Sequence, residues 1–342
     1  MSTRVLALTV VVVAVGGFAA PAALAQIRSA VAAEKPAFKV PRTSWGDPDL
    51  QGVWDYRTIT PMERRPELGD REFYTDQEIA ELEGRAAKRM DSNPDTTVQT
   101  NLVHADYLTD PGRHVDESRR TSLIVDPKNG KAPRLAPDAS APRARAAGQA
   151  AAARTAGGGG GAGPAGGRVD SYLDRPLYER CISRGFPSSI LPTLYNNNIR
   201  ITQAPGYVAI VHEMIHETRV VPLDGSPFTG IRSFMGESRA HWEGDTLVVE
   251  TRSFNGRTGF RGAGENLVTT ERYTKASAGL IDFRLTLEDR TQWTQPWTIA
   301  YFMRPSEGEL YEYACHEGNY GLRNILEEAR LADKAAAAAK KQ

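Results

Sequence analysis

The pattern most suggestive of chemistry lies in residues 212–216, whose sequence HEMIH matches the H-E-x-x-H pattern of zinc proteases. That pattern holds zinc on a helix, where residues four apart lie on one face. Here β-branched residues flank the segment, and residues 205–206 (PG) and 223–225 (LDG) bound it as turns. The flanks therefore predict one long strand. In a strand His212 and His216 lie about 13 Å apart, which argues against a zinc protease.

The two faces of this predicted strand differ in polarity. One face carries His212, Met214 and His216, and the other carries the glutamates and Arg219. Because charged groups belong in water, we expect the histidine face to point into the protein. Each histidine is then either a hydrogen-bonded core residue or a polar group that orients a ligand.

A third histidine, His316, directly follows Cys315 near the end of the chain. Adjacent residues of a strand point to opposite faces, so these two do not form a nucleophile–base pair with each other. On its predicted strand His316 shares a face with Glu312, and it would meet His212 or His216 across the interior. His212, His216 and His316 are therefore candidate ligands of a divalent metal, which is the one cofactor that the sequence suggests. His216, His316 and Glu312 are the candidate catalytic acids and bases.

Aromatic residues are concentrated in the second half of the chain, where they either fill the core or line a cavity for a flat, apolar ligand. The candidate ligand-binding residues, combining rings with the polar and thioether groups above, are His212, Met214, His216, His316, Trp242, Trp297 and Tyr301.

Composition narrows the class of protein. The chain has 342 residues with 42 basic and 42 acidic side chains, so its formal net charge is zero. A neutral chain lacks the electrostatic footprint of a nucleic-acid partner. Its 31 glycines and 21 prolines predict many turns and hence strands, and its two cysteines exclude a four-cysteine zinc module.

Residues 1–25 have the features of a secretory signal peptide: Arg4 precedes an uncharged apolar run that ends in PAALA. We therefore expect an exported bacterial protein, periplasmic or secreted, without a membrane anchor. An oxidising compartment makes a disulfide between Cys181 and Cys315 reasonable. Two buried reduced thiols are the alternative.

The rest of the chain divides by composition and periodicity. Thr75 and Glu78 form a capping box that predicts a helix through Met90, and helical periodicity returns after Gly321. Short strands are expected at 49–56, 121–125, 242–250, 267–274, 281–288, 297–303 and 310–316. The predicted segments are an extended lead-in (26–48), a first strand, helix and strand contributed to the barrel (49–136), a disordered Ala/Gly-rich insertion (137–168), the main β domain (169–330) and an Ala/Lys tail (331–342).

Successive strands with short connections predict a mainly β protein, either closed as a barrel or packed as a sandwich, and we favour an antiparallel meander closed as a barrel. Residues 52–54 (GVW) resemble the Gly-x-Trp opening of lipocalin-like barrels, which are also meanders followed by a helix. That resemblance implies a lipocalin-like barrel.

Five longer blocks resemble a family of exported bacterial proteins that has no established activity. The resemblance spans residues 48–330 apart from the insertion, and it implies export and a shared structure. The blocks are 48–54 (PDLQGVW), 174–181 (DRPLYERC), 213–219 (EMIHETR), 242–251 (WEGDTLVVET) and 311–319 (YEYACHEGN).

Taken together, the residues predict an exported barrel whose interior binds a small apolar or aromatic molecule, with no protein partner evident. The first alternative is a hydrolase, lyase or isomerase that uses a metal or histidine in the same cavity. The second is a structural envelope protein with a filled core and no ligand.

Overall fold

The structure, a computed structural model, describes four stretches of the chain: residues 38–91, 110–139, 171–257 and 259–339. The fold described here begins at Val40. The predicted signal peptide, most of the lead-in and most of the Ala/Gly-rich insertion lie outside the described stretches.

Ten strands in the described stretches form one antiparallel sheet that nearly closes into a barrel. Nine follow the order β5-β4-β3-β1-β10-β9-β8-β7-β6, and β2 pairs with β10 beside β1. The strands are β1 (Gly52–Asp55), β2 (Ile124–Asp126), β3 (Asn198–Ala204), β4 (Tyr207–His212), β5 (Thr218–Pro222), β6 (Glu237–Glu243), β7 (Thr246–Arg252), β8 (Val268–Ser277), β9 (Leu280–Glu288) and β10 (Trp297–Pro305).

The predicted mainly β fold is therefore confirmed, and alternation explains why the sheet curls around a core. In β9 the side chains of Ile281, Phe283, Leu285 and Leu287 are fully buried, and the polar residues between them are not. A strand with one apolar face must bury that face against other strands of the sheet. The hairpin of β6 and β7 is also as predicted, with Gly244 at φ 60° in its two-residue turn.

Two α-helices occur in the described stretches, α1 (Asp76–Asp91) and α2 (Tyr320–Ala339). The predicted capping box begins α1. The backbone N–H of Thr75 donates to Glu78 at 2.8 Å, and the N–H of Glu78 donates to the Thr75 hydroxyl at 3.3 Å. None of the described helices combines the length and apolarity that a membrane span requires.

Two strand predictions are wrong. Residues 207–222 form a hairpin, β4 and β5, joined by a 3-10 turn at Met214–His216, because Ile215 and His216 adopt left-handed φ angles of 56° and 42°. The backbone N–H of His212 donates to the Glu217 carbonyl at 2.8 Å and closes the loop. Residues 310–316 form no strand, and they lead through turns into α2.

The barrel interior is filled largely by rings on three neighbouring strands. Tyr273 of β8 and Tyr301 of β10 are both paired in register with Phe283 of β9. Their ring centroids lie 4.9 Å from the Phe283 ring on each side, and Tyr56 lies 5.9 Å from Tyr301. At these separations aromatic rings pack favourably, and all four side chains are at most 1% exposed.

Candidate functional site

A buried ion pair crosses the barrel interior. Arg219 of β5 donates from both terminal nitrogens to the Glu271 carboxylate of β8, at 2.6 and 2.8 Å. The Tyr273 hydroxyl donates to the same carboxylate at 2.6 Å, and the guanidinium lies 4.1 Å from the centroid of the Phe186 ring. The expectation that Arg219 faces solvent is therefore wrong, because the turn before β5 reverses which residues point inward. This pair links strands that are far apart in the sheet order.

A short segment, residues 186–191, packs into the barrel core and is called the plug. Its Ser189 carbonyl accepts a hydrogen bond from the Tyr56 hydroxyl at 3.1 Å. Its Ile190 carbonyl accepts from the Tyr301 hydroxyl. Interior side chains thus satisfy the plug's backbone, as buried polar groups require.

The plug also forms a hydrogen bond with His212, the first histidine of the HEMIH segment. His212 is fully buried, and its Nδ1 lies 3.1 Å from the Ser189 carbonyl. A carbonyl only accepts, so Nδ1 carries the proton and Nε2 does not. Burial, and then the nearby Arg219 charge, holds the pKa of His212 well below its usual value. His212 is therefore a neutral imidazole at physiological pH, hydrogen-bonded to the backbone.

The other histidines lie outside the interior. His216 and His316 are exposed, as is Glu312, so the expectation that they converge inside the barrel is wrong. His216 follows the turn into solvent, and His316 belongs to a turn instead of a strand. Across the described stretches no group of three acidic, cysteine or histidine residues is placed to hold a metal ion. The catalytic and metal-binding roles of these residues stay predictions.

The predicted aromatic and thioether residues lie mostly in the core. Trp297, Tyr301 and Met214 are at most 1% exposed, and Trp242 is half-buried against the core. Trp297 packs edge-on against Trp293 with centroids 5.3 Å apart. These side chains therefore fill the interior, where a ligand cavity was expected. Their part in ligand binding stays a prediction.

The gap between Phe186, Phe254 and Leu267 in the core is too small to hold a water molecule, and therefore too small for a ligand. An open groove follows α2, lined by Tyr172, Leu322 and Leu326, and it contains none of the predicted site residues.

Three tyrosines gather beside the turn between β4 and β5, and we call Tyr178, Tyr195 and Tyr313 the tyrosine cluster. The hydroxyls of Tyr178 and Tyr195 lie 2.8 Å apart, and the Tyr178 hydroxyl lies 3.7 Å from the Met214 sulfur. Burial, and then the neighbouring phenols, raises the pKa of Tyr178. Burial raises the pKa of Tyr313 as well. The hydroxyls of Tyr178 and Tyr313 therefore stay protonated at physiological pH.

The disulfide brings the cluster together. Cys181 and Cys315 are bonded, with Cα atoms 5.7 Å apart, as predicted. Tyr178 precedes Cys181 by three residues and Tyr313 precedes Cys315 by two, so the bond holds both tyrosines at one place. His216 adds a contact of 3.2 Å from its Nδ1 to the Tyr313 carbonyl. The paired cysteines were the one signal in the sequence that could have located this cluster.

Backbone strain is concentrated around the cluster. Seven non-glycine residues of the described chain have φ between 42° and 60°, and four of them lie here: Cys181, Asn196, Ile215 and His216. For Ile215 this conformation is unusual because its side chain is β-branched. Such strain costs on the order of 1–3 kcal/mol per residue and is commonly found at functional sites.

A carboxylate anchors the loop beside the cluster. Glu217 accepts hydrogen bonds from the Ser183 hydroxyl and from the Arg184 backbone N–H, the latter at 3.2 Å. Burial raises the pKa of Glu217, against the lowering effect of these donors. The strand pattern predicts a solvated face for Glu217, whereas the loop of residues 183–185 covers it.

The described residues thus define a nearly closed antiparallel β-barrel whose core contains the plug, and a strained tyrosine cluster lies beside the turn between β4 and β5. Comparison with protein-family models, with curated proteins and with solved structures finds no match. The family resemblance of the sequence blocks therefore stays a hypothesis, with which the barrel fold is compatible.

Proposed function

We propose that this protein is an exported β-barrel that binds a small aromatic molecule at the tyrosine cluster. The observation that carries the proposal is the concentration of strain, since four of seven left-handed non-glycine residues surround three half-buried tyrosines. Strained backbone persists where the surrounding structure over-determines it, as binding sites often do.

The cluster is better suited to a ligand than the barrel centre. Tyr273, Phe283 and Tyr301 already occupy the centre at 4.9 Å ring separations, so a ligand there would have to displace them. At the cluster, half-buried phenol rings offer an apolar surface, and their hydroxyls offer polar groups. This combination fits a flat ring with a polar substituent.

Export is part of the proposal. The disulfide between Cys181 and Cys315 is typical of proteins that fold in an oxidising compartment. The signal-like composition of residues 1–25 is consistent with that location.

The test uses 2-naphthamide, a neutral aromatic probe, and ligand-observed saturation-transfer NMR on residues 26–342. We expect saturation transfer to the naphthyl protons in the wild type and its loss in Tyr195→Ala. Tyr207→Ala is the matched control, because Tyr207 is a half-exposed tyrosine at the opposite end of β4. His216→Ala should weaken the signal without lowering the melting temperature. Absence of binding by the wild type, or equal binding by Tyr195→Ala, would overturn the proposal and favour a structural barrel without a ligand.

A further inference from the structure

We infer that Arg184 binds the anionic group of the ligand, so that the ligand class is an aromatic carboxylate. The inference rests on the proposed function, because it assigns ligand chemistry to the same tyrosine cluster.

The backbone of Arg184 is hydrogen-bonded, while its guanidinium has no hydrogen-bond or ion-pair partner among the described residues. Its N–H donates to Glu217, and the preceding Ser183 hydroxyl donates to the same carboxylate. The guanidinium lies 5.8 Å from the centroid of the Tyr178 ring, within the range of a cation–π contact. The loop therefore presents the guanidinium to the cluster.

Among the described residues, no carboxylate lies within ion-pair distance of the Arg184 guanidinium, and no hydrogen bond engages it. Two other arginines, in contrast, each form an ion pair with a carboxylate. Arg175 is paired with Glu179 at 2.7 Å, and Arg219 is paired with Glu271 at 2.6 Å. A half-buried guanidinium that no described carboxylate contacts directly can bind an anion, because a charge-assisted hydrogen bond is strongest where water is partly excluded.

The shape of the guanidinium favours a carboxylate. It offers a planar fork that matches the two oxygens of a carboxylate, and the Tyr178 ring, whose hydroxyl is paired with that of Tyr195, lies beside it. Glu213 and Glu217 lie on the adjoining turn and add negative charge. A phosphate dianion would need a second cation to offset that charge, so a monoanion is favoured.

The test compares two probes of equal shape, 2-naphthoate and 2-naphthamide, by titration of chemical shifts or saturation transfer. In the wild type we expect the carboxylate to bind at least ten-fold more tightly than the amide. In Arg184→Gln the two affinities should become equal, and Arg184→Lys should restore part of the difference. Arg290→Gln is the matched control, since Arg290 is an exposed arginine at the end of β9, and it should retain the wild-type ratio.

The outcomes separate the two proposals. If both probes bind the wild type equally, the carboxylate inference fails while aromatic binding at the cluster stands. If Arg184→Gln keeps its melting temperature and the wild-type ratio, the inference also fails. If 2-naphthamide does not bind the wild type, the proposed function fails and the inference fails with it.

Discussion

Arg219 and Glu271 form a bidentate ion pair inside the barrel, although their strands are separated by five others in the sheet order. In the described chain no ladder joins the terminal strands β5 and β6. The ion pair therefore connects β5 at one end of the strand order to β8 in the other half of the sheet, and no backbone hydrogen bonds connect these two strands. Tyr273 donates to the Glu271 carboxylate and adds a third bond to this link.

Replacing Glu271 by glutamine should strongly destabilise the fold. Removing one partner leaves the Arg219 cation buried, which costs about 3–5 kcal/mol in comparable buried pairs. Urea unfolding followed by tryptophan fluorescence measures the change. Glu288→Gln, which alters an exposed pair with Arg290, should change stability by less than about 0.5 kcal/mol. A loss below about 1 kcal/mol in Glu271→Gln would show that the pair contributes little.

The disulfide should stabilise the protein substantially. It closes a loop of 134 residues, and the chain-entropy model gives about 5 kcal/mol as an upper value for such a loop. We expect a reducing agent to lower the melting temperature of the wild type. The double variant Cys181→Ser/Cys315→Ser is the control, since it should melt at a lower temperature and be insensitive to the reductant. A reductant effect of equal size in both proteins would assign it to something other than this bond.

Replacing His216 by glycine should stabilise the turn. Glycine adopts φ near 42° without the clash of a Cβ atom, so the gain is up to about 1 kcal/mol. His216 is exposed, so little packing is lost. His216→Ala keeps the Cβ atom and should show no gain, and the two variants compared by thermal unfolding isolate the backbone effect. Loss of stability in His216→Gly relative to His216→Ala would mean that the turn is unstrained.

Glu217 should make stability fall as the pH rises. Its pKa is raised in the folded state because the carboxyl is buried, so folding favours the protonated form. Its contribution is therefore fully present below 4.5, the ordinary pKa of glutamate, and is lost as pH rises through the higher folded value. Glu217→Gln removes the titration and retains an accepting oxygen. The unfolding free energy of this variant, minus that of the wild type, should increase over that pH range.

Asp116 also has a pKa raised by burial, so the wild-type curve alone does not report on Glu217. The difference between variant and wild type removes the Asp116 contribution, because both proteins carry it. A difference that stays constant with pH would contradict the buried state of the Glu217 carboxyl.

Local patterns in the sequence determined much of the barrel. Alternation in residues 281–288 predicted β9, the glycine-containing turn predicted the hairpin of β6 and β7, and Thr75 with Glu78 predicted α1. These features depend on residues a few positions apart, and such short-range preferences act wherever the chain folds. The pairing of Cys181 with Cys315 followed from composition and compartment.

Only the tertiary structure decided where the chemistry lies. The strand pattern around HEMIH was interrupted at Ile215, because contacts of the plug and of Glu217 hold a conformation that β-branched residues disfavour alone. That one turn sent His216 into solvent and Arg219 into the core. The tyrosine cluster arises from segments more than 100 residues apart that the disulfide joins. No local spacing encodes such a contact, because it depends on how distant parts of the chain pack together.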